Sequence, residues 1–161
     1  MTPGGRSYWL MKSEPDVYSI DTLSRDGRGH WDGVRNYQAR NHMRAMRNGD
    51  LVLFYHSSVE PPGVAGVARV CREAYPDHTQ FDRKSEHYDP NARRDDPRWS
   101  MVDVEFVEKF PEIVSLAALK ADTALEGMLV IKRGMRLSVQ PVSRAHFGRV
   151  LELAGAHTRL R

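Results

Sequence analysis

Cysteine is almost absent from this sequence: Cys71 is the one cysteine among 161 residues, which excludes an internal disulfide and fits a reducing compartment. Apolar runs of membrane-spanning length are also absent, and the N-terminus lacks the apolar core of a secretory signal peptide. We therefore expect a cytoplasmic protein with no membrane partner. A chain of this length suits a single domain, 1–161, that builds its own hydrophobic core.

A large excess of one charge sign is missing too. The 24 Lys and Arg residues nearly balance the 21 Asp and Glu residues, so the formal net charge is +3 and the pI is about 9.2. A protein that coats long duplex DNA would carry more positive charge, but this balance still permits an acidic partner. Repeats and low-complexity tracts are absent from the sequence, and we expect a monomer.

The motifs of common catalytic and cofactor-binding sites are missing as well. The sequence contains no Gly-x-Ser-x-Gly elbow, phosphate-binding loop or dinucleotide fingerprint, and no two histidines stand four residues apart. We therefore expect no cofactor and no metal. His56 and Ser57 are adjacent, but neighbours on an extended chain point to opposite sides, so His56 is poorly placed to activate Ser57. Binding is thus favoured over catalysis, although His56 could serve as a base for another hydroxyl.

Short apolar and alternating segments predict five strands separated by short helices. The predicted strands span residues 8–12, 51–55, 64–75, 99–110 and 136–142. Helices are predicted after four N-cap residues, which are Ser19, Asn36, Ser115 and Ser143. Residues 129–131 fit either a strand or the edge of a helix. We expect a turn at 25–29 and loose chain ends at 1–7 and 155–161.

Residues 76–98 differ from the rest, because charged residues of alternating sign follow one another there, interrupted by Pro90 and Pro97. We expect a long surface loop, and loops of this length in compact domains are either functional lids or poorly ordered excursions. The predicted strands and helices do not alternate regularly enough for a parallel α/β fold. An α+β fold is favoured, with a small, curved, mixed β-barrel of five to six strands and flanking short helices.

The segment 31–41 carries an unusual density of rings, guanidinium groups and amides. Trp31 and Tyr37 supply the rings, and Asn36 can cap a helix that packs one face and turns a basic face outward. Rings beside guanidinium groups suit a flat ligand with a negative tether, such as a nucleobase on its phosphate chain. The same rings could equally pack in the core, and basic helix faces are commonly only solvated.

Polar residues also stand at the ends of several predicted strands. These residues are Lys12, Ser13, His56, Ser57, Arg136, Ser138 and Gln140. Strand ends at one edge of a sheet can converge, and a pocket with an apolar wall and a few fixed polar groups is the usual design for a small ligand. The pattern therefore predicts a recognition pocket, although each residue alone could have a purely structural role.

Several spaced blocks of the chain resemble the EVE domain family. The matching blocks are 8–15, 31–41, 54–57, 73–77, 88–90, 97–99, 101–104 and 136–141. They reach nearly from one end of the chain to the other, so the chain is identified as a single EVE domain. The resemblance implies a PUA-like fold, which is a small curved β-barrel with flanking helices. It also implies kinship with YTH domains, which bind methylated adenine in RNA through an aromatic cage.

The resemblance further implies a site that recognises a modified base, notably modified cytosine or adenine, in DNA or RNA. Lys12, Ser13 and Trp31 resemble the Lys-Ser pair and the first cage tryptophan of YTH domains. Trp31 is thus expected to form one wall of the pocket, with Tyr37 or Trp99 as the second. The other expected base contacts are Ser13, Asn36, His56, Ser57 and Ser138. The expected phosphate contacts are Lys12, Arg40 and Arg136.

Three alternatives stay open at this point. One is that the protein binds modified RNA or acts together with RNA-modifying enzymes. Another is a hydrolase acting on a nucleotide or nucleobase, because some relatives of PUA-like folds are hydrolases. The third is a purely structural role in binding a partner, which the absence of nucleic-acid binding at low salt would support. The sequence does not distinguish DNA from RNA, and it does not identify the modification or the pathway.

Overall fold

Residues 6–160 are described in a computed structural model of the protein, and they form one mixed β-sheet with helices on both faces. The strands are β1 (Tyr8–Ser13), β2 (Arg28–Trp31), β3 (Leu51–His56), β4 (Gly63–Pro76), β5 (Ser100–Ser115) and β6 (Val139–Val142). The α-helices are α1 (Ile20–Asp26), α2 (Tyr37–Ala45), α3 (Leu116–Ala121) and α4 (Arg144–Ala154). Short 3-10 helices span His78–Phe81, Thr123–Leu125 and Leu129–Ile131. Within 6–160, no helix is both long and apolar enough to span a membrane.

The six strands lie in the order β2-β5-β4-β3-β1-β6 across the sheet. β1 is parallel to β3, and every other pairing is antiparallel. A parallel pair requires a long crossover, and the chain supplies one with α1, β2 and α2. The predicted α+β fold with a mixed sheet and short flanking helices is confirmed. The barrel expectation needs correction, because the edge strands β2 and β6 do not pair and the sheet stays open over the described residues.

Both faces of the sheet are buried, which explains why the first four residues of β1 and the first five of β3 are apolar or aromatic. Successive side chains of a strand point to opposite faces. Tyr8 and Leu10 therefore enter one core cluster together with α4, whereas Trp9 and Met11 enter the other together with α1 and α2. Trp31 belongs to this second cluster, so the predicted pocket residue lies on the α1 and α2 side of the sheet.

The four predicted N-caps are confirmed. The side-chain oxygens of Ser19, Asn36, Ser115 and Ser143 each accept a hydrogen bond from the backbone N–H three residues further on. Such a bond satisfies one of the donors that a helix leaves free at its start. Gly155 ends α4 in the left-handed conformation, with a φ of 62°.

Three local expectations differ from the structure. Residues 25–29 are not a plain turn, because α1 runs to Asp26, Gly27 ends it, and β2 then pairs with β5. The polar composition of β2 has no strand signal of its own, so the strand depends on a partner far along the chain. The last strand is shorter than 136–142, since only β6 pairs with β1. Residues 129–131 form a 3-10 helix.

The chain ends also differ from the expectation that both are loose. Residues 1–5 and 161 lie outside the described residues. At the other end, the Glu108 carboxylate on β5 accepts hydrogen bonds from the backbone N–H groups of His157 and Thr158, at 2.8 and 2.9 Å. The segment 155–160 is therefore held against the sheet by a partner that the local sequence does not contain.

Candidate functional site

A cavity of about 770 Å³ lies between the end of β1, the strand β2 with the turn after it, and the loop 77–99. This volume is within the range of small-ligand pockets. Four of the predicted site residues line the cavity, and they are Lys12, Ser13, Trp31 and Ser138. Residues from three separate segments of the chain thus lie around one cavity.

The Trp31 indole forms part of the cavity wall although most of the ring is buried. Only 6% of Trp31 is exposed, and the ring packs edge-on against Phe54 and Tyr18, with centroid distances of 5.1 and 5.9 Å. Its position at the end of β2 is set by pairing with Val102 on β5. Because edge-to-face packing fixes the ring, the cavity has a rigid aromatic side.

Tyr18 is a cavity residue that sequence reasoning missed. Its ring contacts Trp31 and Phe54, and its hydroxyl is buried with no hydrogen-bond partner among the described residues. The hydroxyl lies directly against Gly29, where a Cβ would overlap it. Burial, followed by the nearby charge of Asp26, raises the pKa of Tyr18. The phenol is therefore neutral at physiological pH and adds a second aromatic surface beside Trp31.

Lys12, Ser13 and Ser138 meet because β1 lies beside the segment that leads into β6. The backbone N–H of Lys12 donates to the carbonyl oxygen of Ser138 at 2.8 Å. Lys12 Nζ donates to the Met135 carbonyl oxygen at 3.3 Å and stands 5.6 Å from the centre of the Tyr55 ring. Burial lowers the pKa of Lys12. The cavity thus presents two hydroxyl groups and one ammonium group to a ligand.

The turn after β2 brings the backbone close to the loop 77–99. Gly33 has a φ of +79°, which L side chains rarely adopt, and a Cβ there would lie 2.7 Å from His87 Nε2. The backbone N–H of Gly33 donates to Asp77 Oδ2 at 2.8 Å. The positive φ therefore favours glycine at this position, a side chain there would also displace the His87 ring, and the turn is tied to the loop through Asp77.

Arg35 and Asp77 hold the loop against this turn. The Arg35 guanidinium donates to Asp77 Oδ2 at 3.0 Å, to Thr79 Oγ1 at 2.9 Å and to the His87 carbonyl oxygen at 2.7 Å. Burial alone would raise the pKa of Asp77, but hydrogen bonds from Thr79, Gly33 and Arg35 outweigh it and lower that pKa. The charged loop is thus an anchored wall of the cavity. Sequence reasoning missed these anchors, because a single polar residue in a charged loop carries no local signal.

His56 and Ser57 have contacts away from the cavity. His56 is 7% exposed, and its Nε2 accepts a hydrogen bond from the Ile20 backbone N–H at 3.1 Å. Burial is the main cause that lowers the pKa of His56, which keeps the imidazole neutral as an acceptor must be. The backbone N–H of Ser57 donates to the Ser13 carbonyl oxygen at 3.0 Å. His56 therefore satisfies a free donor at the start of α1.

The rings expected as a second wall form a separate stack. Tyr37 and Trp99 lie 4.9 Å apart between ring centroids, at an interplanar angle of 30°. Trp99 is buried, and its Nε1 donates to Asp89 Oδ2 at 2.8 Å. Asn36 is occupied as the cap of α2. None of these three is among the residues that line the cavity beside Trp31, where Tyr18 supplies the second ring instead.

Of the three expected phosphate contacts, only Lys12 lines the main cavity. Arg40 borders a second, more polar cavity of about 240 Å³, together with Tyr37 and Arg44. Its guanidinium carbon lies 4.7 Å from the centre of the Tyr37 ring. Arg136 is exposed and is not among the lining residues of either cavity. The basic groups are thus spread over a surface rather than gathered in one pocket.

Both the sequence and the fold are similar to those of known proteins. The sequence model of the EVE domain family matches residues 7–153 of this chain. Human thymocyte nuclear protein 1 is 44% identical over 166 residues, which cover 91% of this chain and 73% of that protein. A crystal structure of human THYN1 in complex with DNA containing 5-methylcytosine has a TM-score of 0.87 at 43% identity, covering 94% of this chain and 99% of that one.

A YTH domain shares the fold at a much lower level of sequence identity. The YTH domain of the Zygosaccharomyces rouxii MRB1 protein, solved in complex with N6-methyladenosine RNA, has a TM-score of 0.54 at 12% identity. The match covers 97% of this chain and 89% of that one. At this identity the likeness concerns the fold alone.

The comparisons correct one expectation and confirm another. The human and mouse relatives are named thymocyte nuclear protein 1, so the expected cytoplasmic location is wrong on this comparison. A lack of long apolar runs could not have separated the cytoplasm from the nucleus, because both compartments hold proteins without a membrane-spanning segment. The resemblance that the spaced sequence blocks indicated is confirmed: this chain belongs to the EVE domain family.

Proposed function

We propose that the protein binds nucleic acid and takes one modified base into the cavity beside Trp31. The observation that carries this proposal is the cavity itself, where an aromatic side meets the polar groups of Lys12, Ser13 and Ser138. The human relative solved with DNA containing 5-methylcytosine supports it further. 5-Methylcytosine in DNA is therefore our first candidate ligand, followed by other modified cytosines and by modified adenines.

The energetics of such binding depend on how a base enters the cavity. A base in a duplex must leave its stack, which costs a few kcal/mol and less in a single strand. Stacking on an aromatic side chain returns about 1–3 kcal/mol per base, and the small exposed part of Trp31 favours the lower end of this range. Burying a methyl group adds about 0.8 kcal/mol, roughly a fourfold preference over the unmodified base.

The polar groups of the cavity suit the edge of a base. The hydroxyls of Ser13 and Ser138 can donate and accept, which matches the mixed donors and acceptors of cytosine and adenine. The charged Lys12 ammonium can only donate, so it suits a carbonyl oxygen or a phosphate. Lys12 should therefore contribute to affinity for any oligonucleotide, whereas the aromatic side should contribute to the preference for a modified base.

The alternatives to this proposal differ in what would be observed. Binding to modified RNA would use the same cavity and would appear as tighter binding of a matched RNA strand, since the 2′-hydroxyl is what distinguishes the two. The hydrolase alternative requires a general base. His56, the candidate that the sequence suggests, instead accepts a hydrogen bond from the Ile20 backbone N–H inside the core. A binding module is the function that the geometry supports best.

The proposal is tested with short fluorescent oligonucleotides that differ only in one base. Fluorescence anisotropy would compare 5-methylcytosine with cytosine in single-stranded DNA, duplex DNA and RNA of the same sequence. We expect tighter binding of the methylated DNA. Trp31→Phe should reduce affinity for it by about 1 kcal/mol, roughly fivefold, because a smaller ring keeps the core filled but offers less stacking surface.

Tyr37→Ala is the matched control, since Tyr37 is 52% exposed, aromatic and outside the cavity. Tyr37→Ala should leave the ratio of the affinities for methylated and unmethylated DNA unchanged. Thermal melting would establish that both variants are folded. Equal affinity of the native protein for modified and unmodified oligonucleotides of every type would overturn the proposal. Loss of the preference in Tyr37→Ala but not in Trp31→Phe would assign the base to the other cavity.

A further inference from the structure

Two histidines and one aspartate meet at the rim of the cavity, although they come from distant parts of the chain. His30 lies on β2, Asp32 follows in the turn, and His78 begins the 3-10 helix His78–Phe81. One nitrogen or oxygen atom from each residue lies within 4.8 Å of the other two. His30 Nε2 is 3.6 Å from Asp32 Oδ2, and the two imidazoles are 5.5 Å apart between centroids.

The chemistry of these three groups suits a divalent transition metal. Imidazole nitrogen and carboxylate oxygen are ligands of Zn²⁺, and two histidines with one carboxylate are a known set for Zn²⁺ and Fe²⁺ sites that leave positions open. Bonds of about 2.0–2.1 Å would hold the ligand atoms about 3.4 Å apart in a tetrahedral site. Both histidines are exposed, so small rotations of their rings can close the remaining gap.

The backbone segments that carry the three residues are held together by hydrogen bonds through Asp77. Asp77, which precedes His78, accepts at its Oδ2 from the backbone N–H of Gly33, which follows Asp32. The backbone N–H of Asp77 donates to the Trp99 carbonyl oxygen at 3.0 Å. The ligand-bearing segments are therefore fixed before any ion arrives, and only side chains need to move.

We propose that His30, Asp32 and His78 form a binding site for a divalent first-row transition ion, with Zn²⁺ as the reference ion. Three protein ligands leave at least one coordination position for water or for an oxygen of a bound molecule. His30 and Asp32 also line the cavity, so the ion would place positive charge at its rim. This site is separate from the proposed base contacts, and it can be tested without nucleic acid.

The experiment is isothermal titration calorimetry, in which Zn²⁺ is titrated into protein that was first treated with a chelator. We expect saturable binding with one ion per chain. His30→Ala, His78→Ala and Asp32→Asn should each weaken it by at least about tenfold, a loss that even indirect changes near a metal can produce. His157→Ala is the matched control, because His157 is exposed and lies outside this cluster, and it should bind as the native protein does.

A second measurement separates a loss of Zn²⁺ binding from a loss of folding in the variants. Zn²⁺ should raise the melting temperature of the native protein and of His157→Ala, but not that of His30→Ala or His78→Ala, since a ligand stabilises only the state that binds it. Absence of binding to the native protein would overturn the proposal. Equal binding by the native protein and the two histidine variants would also overturn it, even if some Zn²⁺ is taken up.

Discussion

At the scale of single residues, the candidate site depends on side chains that belong both to the core and to the cavity wall. Trp31 is such a residue, since it packs against Phe54 and yet borders the cavity. Removing its ring would cost about 3–5 kcal/mol of folding free energy, as for other large core residues. A loss of binding in Trp31→Ala would therefore be difficult to separate from a loss of structure, whereas a change from one ring to another avoids this.

Tyr18→Phe is expected to leave the free energy of unfolding unchanged or to raise it by up to about 1 kcal/mol. The buried hydroxyl has no partner among the described residues, and an unsatisfied buried polar group costs about 1–3 kcal/mol. Urea denaturation would measure the difference. Tyr18→Leu is the control, because losing the ring contacts should lower stability by about 1–3 kcal/mol. A marked loss of stability in Tyr18→Phe would show that the hydroxyl has a partner after all.

At the scale of structural elements, the loop 77–99 belongs to the site because Arg35 fastens it to the turn after β2. Arg35→Lys keeps the charge but loses the planar fork that reaches Asp77, Thr79 and the His87 carbonyl oxygen together. We expect the free energy of unfolding to fall by about 1–3 kcal/mol. Amide hydrogen exchange in the loop should also become faster, because its anchor is weakened.

Arg25→Lys is the matched control for this prediction. Arg25 pairs with Asp26, and 74% of its side chain is exposed. Exposed ion pairs contribute little, so this change should alter stability by less than about 0.5 kcal/mol. Unchanged exchange in the loop of Arg35→Lys would mean that other contacts hold it in place.

The C-terminal segment provides a second prediction at this scale, and it concerns pH. Burial alone would raise the pKa of Glu108, but hydrogen bonds from His157 and Thr158 outweigh it and lower the pKa below its ordinary value of 4.5. A lowered pKa in the folded state stabilises the protein above the unfolded-state value, and this contribution is lost as pH falls through the folded-state value. Glu108→Gln should therefore lower the free energy of unfolding by about 1 kcal/mol at neutral pH.

This difference between Glu108→Gln and the native protein should shrink at pH values below 4.5, where the native carboxylate becomes protonated. Urea denaturation of both proteins at neutral pH and at about pH 3 would measure it. A difference of the same size at both pH values would contradict an electrostatic anchor. It would point instead to packing of the glutamate side chain.

At the scale of the whole molecule, the modest net charge of +3 limits how strongly electrostatics can drive binding. Two or three phosphate contacts on duplex DNA predict a slope of log affinity against log salt of about −1.8 to −2.7. Affinity should then fall by roughly 10- to 40-fold between about 50 and 200 mM salt. The preference for a methylated base should stay constant, because burial of a methyl group is not ionic.

Arg40→Gln tests whether the second cavity contributes to this salt dependence. Arg40 borders that cavity beside the exposed ring of Tyr37. If Arg40 contacts a phosphate, the variant should reduce the magnitude of the slope by about 0.9. Anisotropy titrations at several salt concentrations would measure the slope for both proteins. An unchanged slope would leave Lys12 and Arg136 as the expected phosphate contacts.

Much of the fold could be predicted from the sequence, because the signals are local. Ser19 and Ser143 cap helices through bonds to residues three positions away, and the unbroken apolar character of β3 identifies a strand buried on both faces. The same holds for part of the candidate site. Lys12, Ser13 and Trp31 were singled out by the blocks that resemble the EVE family, and the structure brings them to one cavity.

The sequence by itself thus determined most of the strands and helices, their caps and the family, since each depends on residues that are neighbours or are recognised as a pattern. The strand β2 is the exception, because it forms only through pairing with β5. Only the tertiary structure decided that Tyr18 forms the second aromatic side, that His56 turns into the core, and that His30 and His78 meet. The reason is physical: membership in a cavity depends on sheet register and loop anchoring, which join segments far apart in the chain and leave no trace in either one alone.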